Sequence, residues 1–297
     1  MWSISRRWLQ TILGIIWFLD GILQLKPQMF GSQFINQVLL PTAQGQPLGI
    51  GHAITWSANV VAPHLFFYNF LFAGIQLFLG IMLMINRWVK GTLVISFIWA
   101  GIVWLFSEGL GMLFTGQATF LTGAPGAVFL YGLIGIIVWP GHEDKEFHSH
   151  LSSKWSNVSR YSLAVLWFVG GLLQLQPTFL TQGGLNGVFS IDAFNHMAAA
   201  NPVMMNLILI IFMWASGILL LIRNEKWIHS GFWLSVIIAL FIWWVGEGFG
   251  QMLSPLGTDP NSGPLLVLLA LCSHRMPSRE HQHIASQSHL THMKPSG

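Results

Sequence analysis

Cysteine and charge are what this 297-residue chain has least of. Its one cysteine, Cys272, excludes an intramolecular disulfide, a Cys-x-x-Cys redox pair and any multi-cysteine zinc or iron–sulfur site within the chain. Only 8% of the residues are charged, against about 25% in a soluble domain, so a water-facing surface cannot be built from it. The basic residues stand in ones and twos, without the stripe that nucleic-acid binding needs. No histidine lies well inside an apolar segment, so haem within a bilayer would lack its usual axial ligands. Any redox work requires a bound cofactor or a partner subunit.

What is present is apolar length: 53% hydrophobic residues and 15 tryptophans. Eight apolar segments cover roughly residues 8–26, 64–86, 91–114 and 125–139, then 158–176, 203–222, 228–252 and 262–274, with the stretch 28–62 read as an outer loop. Six reach the length of about 20 residues that a spanning helix needs. The fourth of each set is short, starts at or near a proline, and could cross only beside longer neighbours. With eight crossings every Lys and Arg except Lys26 falls on one side, which places both termini in the cytoplasm by the positive-inside rule. The pair Arg6–Arg7 ahead of an apolar run has the look of an export signal, but its equivalent in the second half lies mid-chain, so 8–26 is read as a retained helix. The expected fold is all-α, a polytopic plasma-membrane protein with eight transmembrane helices in two parallel four-helix repeats. The first repeat occupies 1–140 and the second 158–274. A cytoplasmic linker (141–157) joins them, and a His-rich disordered cytoplasmic tail follows (275–297).

The repeat is written in the residues. Trp104-x-x-x-Glu108-Gly109-x-Gly111 returns 139 positions later as Trp243-x-x-x-Glu247-Gly248-x-Gly250. Trp17-Phe18-x-x-Gly21-x-Leu23-Gln24-Leu25-x-Pro27 returns as Trp167-Phe168-x-x-Gly171-x-Leu173-Gln174-Leu175-x-Pro177. Pro63, Trp88 and Pro125 are matched with Pro202, Trp227 and Pro264. Self-similarity at a fixed offset marks a tandem duplication, related by an axis along the membrane normal when both copies share one orientation.

A carboxylate inside an apolar segment is costly and is read as functional by default. Glu108 and Glu247 are therefore the candidate proton-handling groups, with Asp20, which has only Gly170 as counterpart. Trp104 and Trp243, one turn earlier, could donate to them or cover them, while Gln24, Gln174 and His64 could approach them. The structural alternative is that each glutamate locks its helix to Gln24 or Gln174. His142, His148 and His150 with Glu143, Asp144 and Glu146 form a loose metal-binding tract, as do His281, His283, His289 and His292, but the spacings match no fixed site; no metal is assigned.

A four-helix unit whose first helix closes on Gly-x-Leu-Gln-Leu-x-Pro, and whose short fourth helix follows a Gly/Pro turn, resembles the DoxX/DoxD-like membrane proteins. That family includes the small subunit of thiosulfate:quinone oxidoreductases. The resemblance implies a membrane component of a quinone-linked oxidoreductase, with quinone as the cofactor and an electron-donating partner subunit. The alternatives are a proton-coupled transporter of a small solute, favoured by parallel repeats, and a structural or assembly subunit.

Overall fold

A computed structural model describes residues 5–141, 151–181, 184–185 and 187–273. The two His-rich tracts, the tail 275–297 and most of the 141–157 linker lie outside the described residues. Among the described residues the chain is helical throughout, with no strand. Each of the eight apolar segments contains a helix. The first half has α1 (Arg6–Leu23), α2 (Leu48–Val61), α3 (Leu65–Met84), α4 (Val89–Phe106) and α5 (Ala127–Ile137). The second has α6 (Ser153–Leu173), α7 (Asp192–Ala200), α8 (Pro202–Leu221), α9 (Glu225–Phe241) and α10 (Ser262–Ser273). Among the described residues four stretches are long and apolar enough to cross a membrane: Leu48–Met84, Val89–Phe106, Pro202–Leu221 and Glu225–Gly246. Large apolar side chains on their outer faces, among them Phe66, Phe67, Ile98, Ile211 and Ile237, are exposed. That surface suits lipid and not water, and marks a membrane protein.

The short helices α5 and α10 form the centre. They pack on one another, α5 also touches α1, α4 and α6, and α10 touches α1, α6 and α9. Nearly every residue of α10 is buried, Cys272 included. Apolar on all sides, these helices fit a core position enclosed by longer ones.

The first and third helices of the first half meet through small residues. A Cβ on Gly80 would lie 2.6 Å from the Phe18 backbone nitrogen, and one on Gly14 would lie 2.9 Å from the Gly80 carbonyl. Gly217 and Ala164 bring α8 and α6 together in the same way. Small residues permit this close approach, the main source of helix association where no hydrophobic drive exists. At one end, Arg7 donates to the last carbonyls of α3, Leu83 and Met84, and Arg6 donates to Val138 at the end of α5. The arginine pair thus terminates two helices, whose final carbonyls would otherwise be unsatisfied.

Three expectations change. The stretch 28–62, read as a loop, folds into a π-turn (Phe34–Leu39), a 3-10 turn (Leu40–Ala43) and α2. Its apolar residues Phe34, Ile35, Leu39, Ala58 and Val61 form a small core of their own with Met29 and Leu65. The helix of segment 91–114, α4, ends at Phe106, not near 114, because Gly109, Leu110, Gly111 and Met112 all take the left-handed conformation. The first helix of the second half begins at Ser153, earlier than 158.

Gly80→Ala should lower the stability of the detergent-solubilised protein by about 1–3 kcal/mol, the usual range for overpacking. Gly74→Ala, on the same helix with nothing within 4 Å of its Cβ position, should not. Chemical or thermal unfolding of the two variants side by side decides the point.

Candidate functional site

The repeated Trp-x-x-x-Glu-Gly-x-Gly element is a clamp on the start of the following short helix. At the end of α4 the Glu108 N–H bonds the carbonyl five residues back, Val103, at 2.9 Å; at the end of α9 the Glu247 N–H bonds Ile242 likewise at 2.8 Å. This wide turn swings each glutamate off its own helix and toward the next. Glu108 Oε1 accepts from the Val128 N–H at 3.3 Å, while Glu247 accepts from the Ser262 N–H at 3.2 Å, the Gly263 N–H at 3.0 Å and the Ser262 hydroxyl. Each carboxylate therefore caps the positive N-terminus of α5 or α10. The two glycines of the motif take positive φ (54° and 64° in the first half, 55° and 66° in the second). A Cβ on Gly111 would collide with Pro125, and one on Gly250 would lie 2.5 Å from Pro260. The tryptophans complete the clamp: Trp104 Nε1 donates to the Pro125 carbonyl and Trp243 Nε1 to the Pro260 carbonyl, both at 2.8 Å.

Those contacts correct several sequence readings. Trp104 and Trp243 donate to backbone and not to the glutamates. Pro125 answers to Pro260, not Pro264, and Asn69 answers to Asn206, so Pro63 and Pro202 are not equivalent. Gln24 and Gln174 bond neither glutamate. Asn69 donates to the Gln24 carbonyl at 2.9 Å and Asn206 to the Gln174 carbonyl at 2.6 Å. Gln24 also donates to the Asn69 side chain. These buried amides tie the first helix of each half to its neighbour. His64 is exposed at the start of α3 and does not line the cavity described below.

The halves exchange loops. Gln174 donates to Thr119 Oγ1 at 2.7 Å, Gln176 to the Ala118 carbonyl at 2.8 Å and Thr178 to the Gly116 carbonyl at 3.0 Å. In the other direction Lys26, the counterpart of Gln176, donates to the carbonyls of Met252, Ser254 and Gly257 at 2.7, 2.7 and 2.9 Å. The one cation expected on this side is thus consumed in fixing the second-half loop to the first half.

Where that loop arrives there is a cavity of about 560 Å³ in the first half. Aromatic and aliphatic side chains form most of its wall, including Trp17, Trp56, Phe72, Trp99 and Tyr131, and the folded stretch 34–61 supplies part of it. Asp20, Glu108 and Asp259 all line it, and among the described residues no Lys, Arg or His does. Asp20 is only 2% exposed. One of its oxygens accepts from the Tyr131 hydroxyl, and Oδ1 has no hydrogen-bond partner. Tyr131 stacks on Trp17 with ring centroids 4.0 Å apart. Glu108 Oε2 is likewise buried without a partner. Asp259 is held by the Thr258 hydroxyl at 2.7 Å and the Asn261 N–H at 2.6 Å. Sequence reasoning missed Asp259 altogether; the signal was an acid immediately before the proline that faces Trp243.

The second half has no such opening acid. Gly170 stands where Asp20 would be, and a Cβ there would meet Met213 at 3.0 Å and the Phe120 ring at 3.4 Å. Phe120 arrives on the exchanged first-half loop and packs on Trp167, the counterpart of Trp17, at 6.0 Å between centroids. Glu247 is buried with its capping donors and does not line the cavity.

Both glutamates sit past the ends of the spanning helices. Burial pushes Glu108 up to about 8, assisted by the charge of Asp259 and opposed by the Val128 N–H and a weaker attraction from the Ala127 N–H. Burial pushes Glu247 to about 8 as well, against the pull of the Ser262 and Gly263 donors. Asp259 is also raised by burial, with Thr258 and Asn261 pulling the other way. Carboxyl groups in this range can hold or yield a proton near neutral pH. Among the described residues no group of three or more His, Cys, Asp or Glu is placed to hold a metal ion.

No protein-family model matches the chain, and comparisons with curated proteins and with solved structures find no match.

Glu247→Ala should cost about 3 kcal/mol or more, since it strands three buried donors, whereas Glu108→Ala should cost about 1 kcal/mol; denaturant titration in detergent compares them. Folding holds the Glu108 proton that the unfolded chain releases near 4.5, so its contribution to stability falls as pH rises from there to about 8. Unfolding measured across that window should show the decline, and Glu108→Gln should make it shallower while the share from Glu247 and Asp259 remains.

Proposed function

We propose that this chain is the membrane component of a quinone-linked oxidoreductase and that the first-half cavity holds the quinone head. The observation that carries the reading is one aromatic-walled cavity bordered by three carboxyl groups, two of which have an oxygen without a partner. Its volume and apolar lining fit a small-ligand site. A protonated carboxyl donates to a quinone carbonyl, and a carboxylate accepts from a hydroquinone hydroxyl. In reduction, the quinone takes two electrons and two protons to become the hydroquinone; Glu108 and Asp20 supply protons. The chain carries no redox centre of its own in this scheme, so the electrons come from a partner subunit. An acid-lined cavity without a base disfavours anions, so an oxyanion such as thiosulfate would be handled by the partner and not here.

The resemblance to DoxX-like units supports this reading, as does the recurrence of the clamp and amide contacts in both halves. It goes with eight crossing segments in two like-oriented units, α1 and α6 crossing beside the four long apolar stretches and the short α5 and α10 packed between them. Both termini then lie in the cytoplasm of a plasma membrane, and the clamps lie toward the outer surface.

Protein reconstituted in nanodiscs and titrated with a short-chain quinone should show saturable quenching of tryptophan fluorescence, because Trp17, Trp56 and Trp99 line the cavity. Glu108→Gln combined with Asp20→Asn should weaken binding by about tenfold, or about 1.4 kcal/mol. Absence of saturable quenching, with no quinone retained on mild extraction, would sink the proposal. Alkalinisation or acidification of proteoliposomes driven by an added solute would assign the cavity to transport instead.

A further inference from the structure

The cavity draws on both halves unequally. Two of its acids, Asp20 and Glu108, belong to the first half; Asp259 belongs to the second and reaches the wall on a loop that Lys26 holds by three carbonyls. We infer that Asp259 is a ligand-contacting acid of this cavity, and that Lys26 is its positioning residue, so that the working site is built across the two halves and occurs once per chain.

Three independent features support this. Asp20 and Tyr131 form a buried pair in the first half, and the matching positions in the second are Gly170 and Leu266. The acid and its phenol are thus found together in one half and absent together from the other. The loops that cross between halves deliver opposite chemistry. Starting from the paired carbonyls of Ala118 and Gly257, the next two residues are Thr119 and Phe120 in one loop and Thr258 and Asp259 in the other. Phe120 lies against Trp167 and closes the second-half position, while Asp259 lies in the wall of the cavity that the first-half Trp17 also lines. Finally, the unpartnered Oδ1 of Asp20, on a residue only 2% exposed, points to a polar group that the protein itself does not supply.

The inference rests on the cavity being a binding site, but not on the ligand being a quinone. A hydrophobic carbodiimide provides a test that needs no natural ligand. A protonated carboxyl O–H adds across one N=C bond to form an O-acylisourea, which rearranges to a stable N-acylurea with no leaving group. Labelling the full-length protein in nanodiscs near pH 7 and mapping the adducts by mass spectrometry should find label on Asp20, Glu108 and Asp259, with Glu247 spared. Lys26→Met should reduce labelling at Asp259 severalfold relative to Glu108 in the same molecules, a ratio that general loosening of the fold would not lower. Lys26→Arg, which keeps the charge and donors, should restore much of it.

The inference is overturned if Asp259 stays unlabelled while Asp20 or Glu108 reacts, if none of the three reacts, or if Lys26→Met leaves the ratio unchanged. Excess short-chain quinone added before the reagent examines the earlier proposal separately. Labelling of all three acids without protection by quinone removes the quinone and keeps the shared cavity. Protection confined to Asp20 and Glu108 keeps the quinone and removes Asp259 from the site.

Discussion

A helix that begins inside a packed bundle has backbone N–H groups that solvent cannot reach, and this constraint shapes the loop-rich end of the molecule. Both α5 and α10 start in that situation. Each is capped by a glutamate from the end of the preceding long helix, which must stop early and turn to present it. The wide final turn, the left-handed glycines and the proline carbonyl taken by a tryptophan are all consequences of bringing a carboxylate to that spot. Buried polar backbone in a low-dielectric setting tolerates little else.

Once the clamp is in place, the difference between the halves follows from which of its atoms are used. Glu247 meets Ser262, whose hydroxyl and N–H join the Gly263 N–H to occupy both oxygens. Glu108 meets Ala127 and Val128, without a hydroxyl, and keeps one oxygen unpartnered. Two features then enlarge the contrast. The stretch 34–61 is long enough in the first half to fold into its own small core, and Asp259 replaces the aromatic plug that Phe120 supplies on the other side. The duplicated scaffold thereby serves stability in both halves and leaves a polar cavity in one.

Much of this was legible in the residues. The eight apolar segments, the repeated Trp-x-x-x-Glu-Gly-x-Gly element and the singular Asp20 could all be read from spacing and from the cost of charge in an apolar run. What could not be read was the partner of each group. Matching prolines by type paired Pro63 with Pro202 and Pro125 with Pro264, whereas the contacts pair Asn69 with Asn206 and Pro125 with Pro260; insertions in the turns had shifted the register between helices. The helix end at Phe106 was hidden because Leu110, Met112 and Leu113 continue the apolar pattern, while the backbone follows the left-handed conformations around Gly109 and Gly111. The stretch 28–62 was read as loop, although Phe34, Leu39, Ala58 and Val61 close on each other once Met29 and Leu65 are near. Asp259 sat in what reads as a polar turn, and only the exchange of loops brings it beside Asp20.

Lys26 makes the same point from the side of charge. The positive-inside argument singled it out as the lone basic residue on the wrong side, where an isolated ammonium is an anomaly to be explained. Its three carbonyl partners supply the explanation, since they replace much of its hydration with fixed backbone dipoles. Because those carbonyls belong to the loop bearing Asp259, satisfying the cation and placing the acid are one event. Its second-half counterpart, Gln176, holds the other loop with a neutral amide, and that loop brings an aromatic ring instead of an acid. In each half the residue two places after the repeated glutamine thus fixes the loop that decides whether its first helix faces an open polar wall or a closed apolar one.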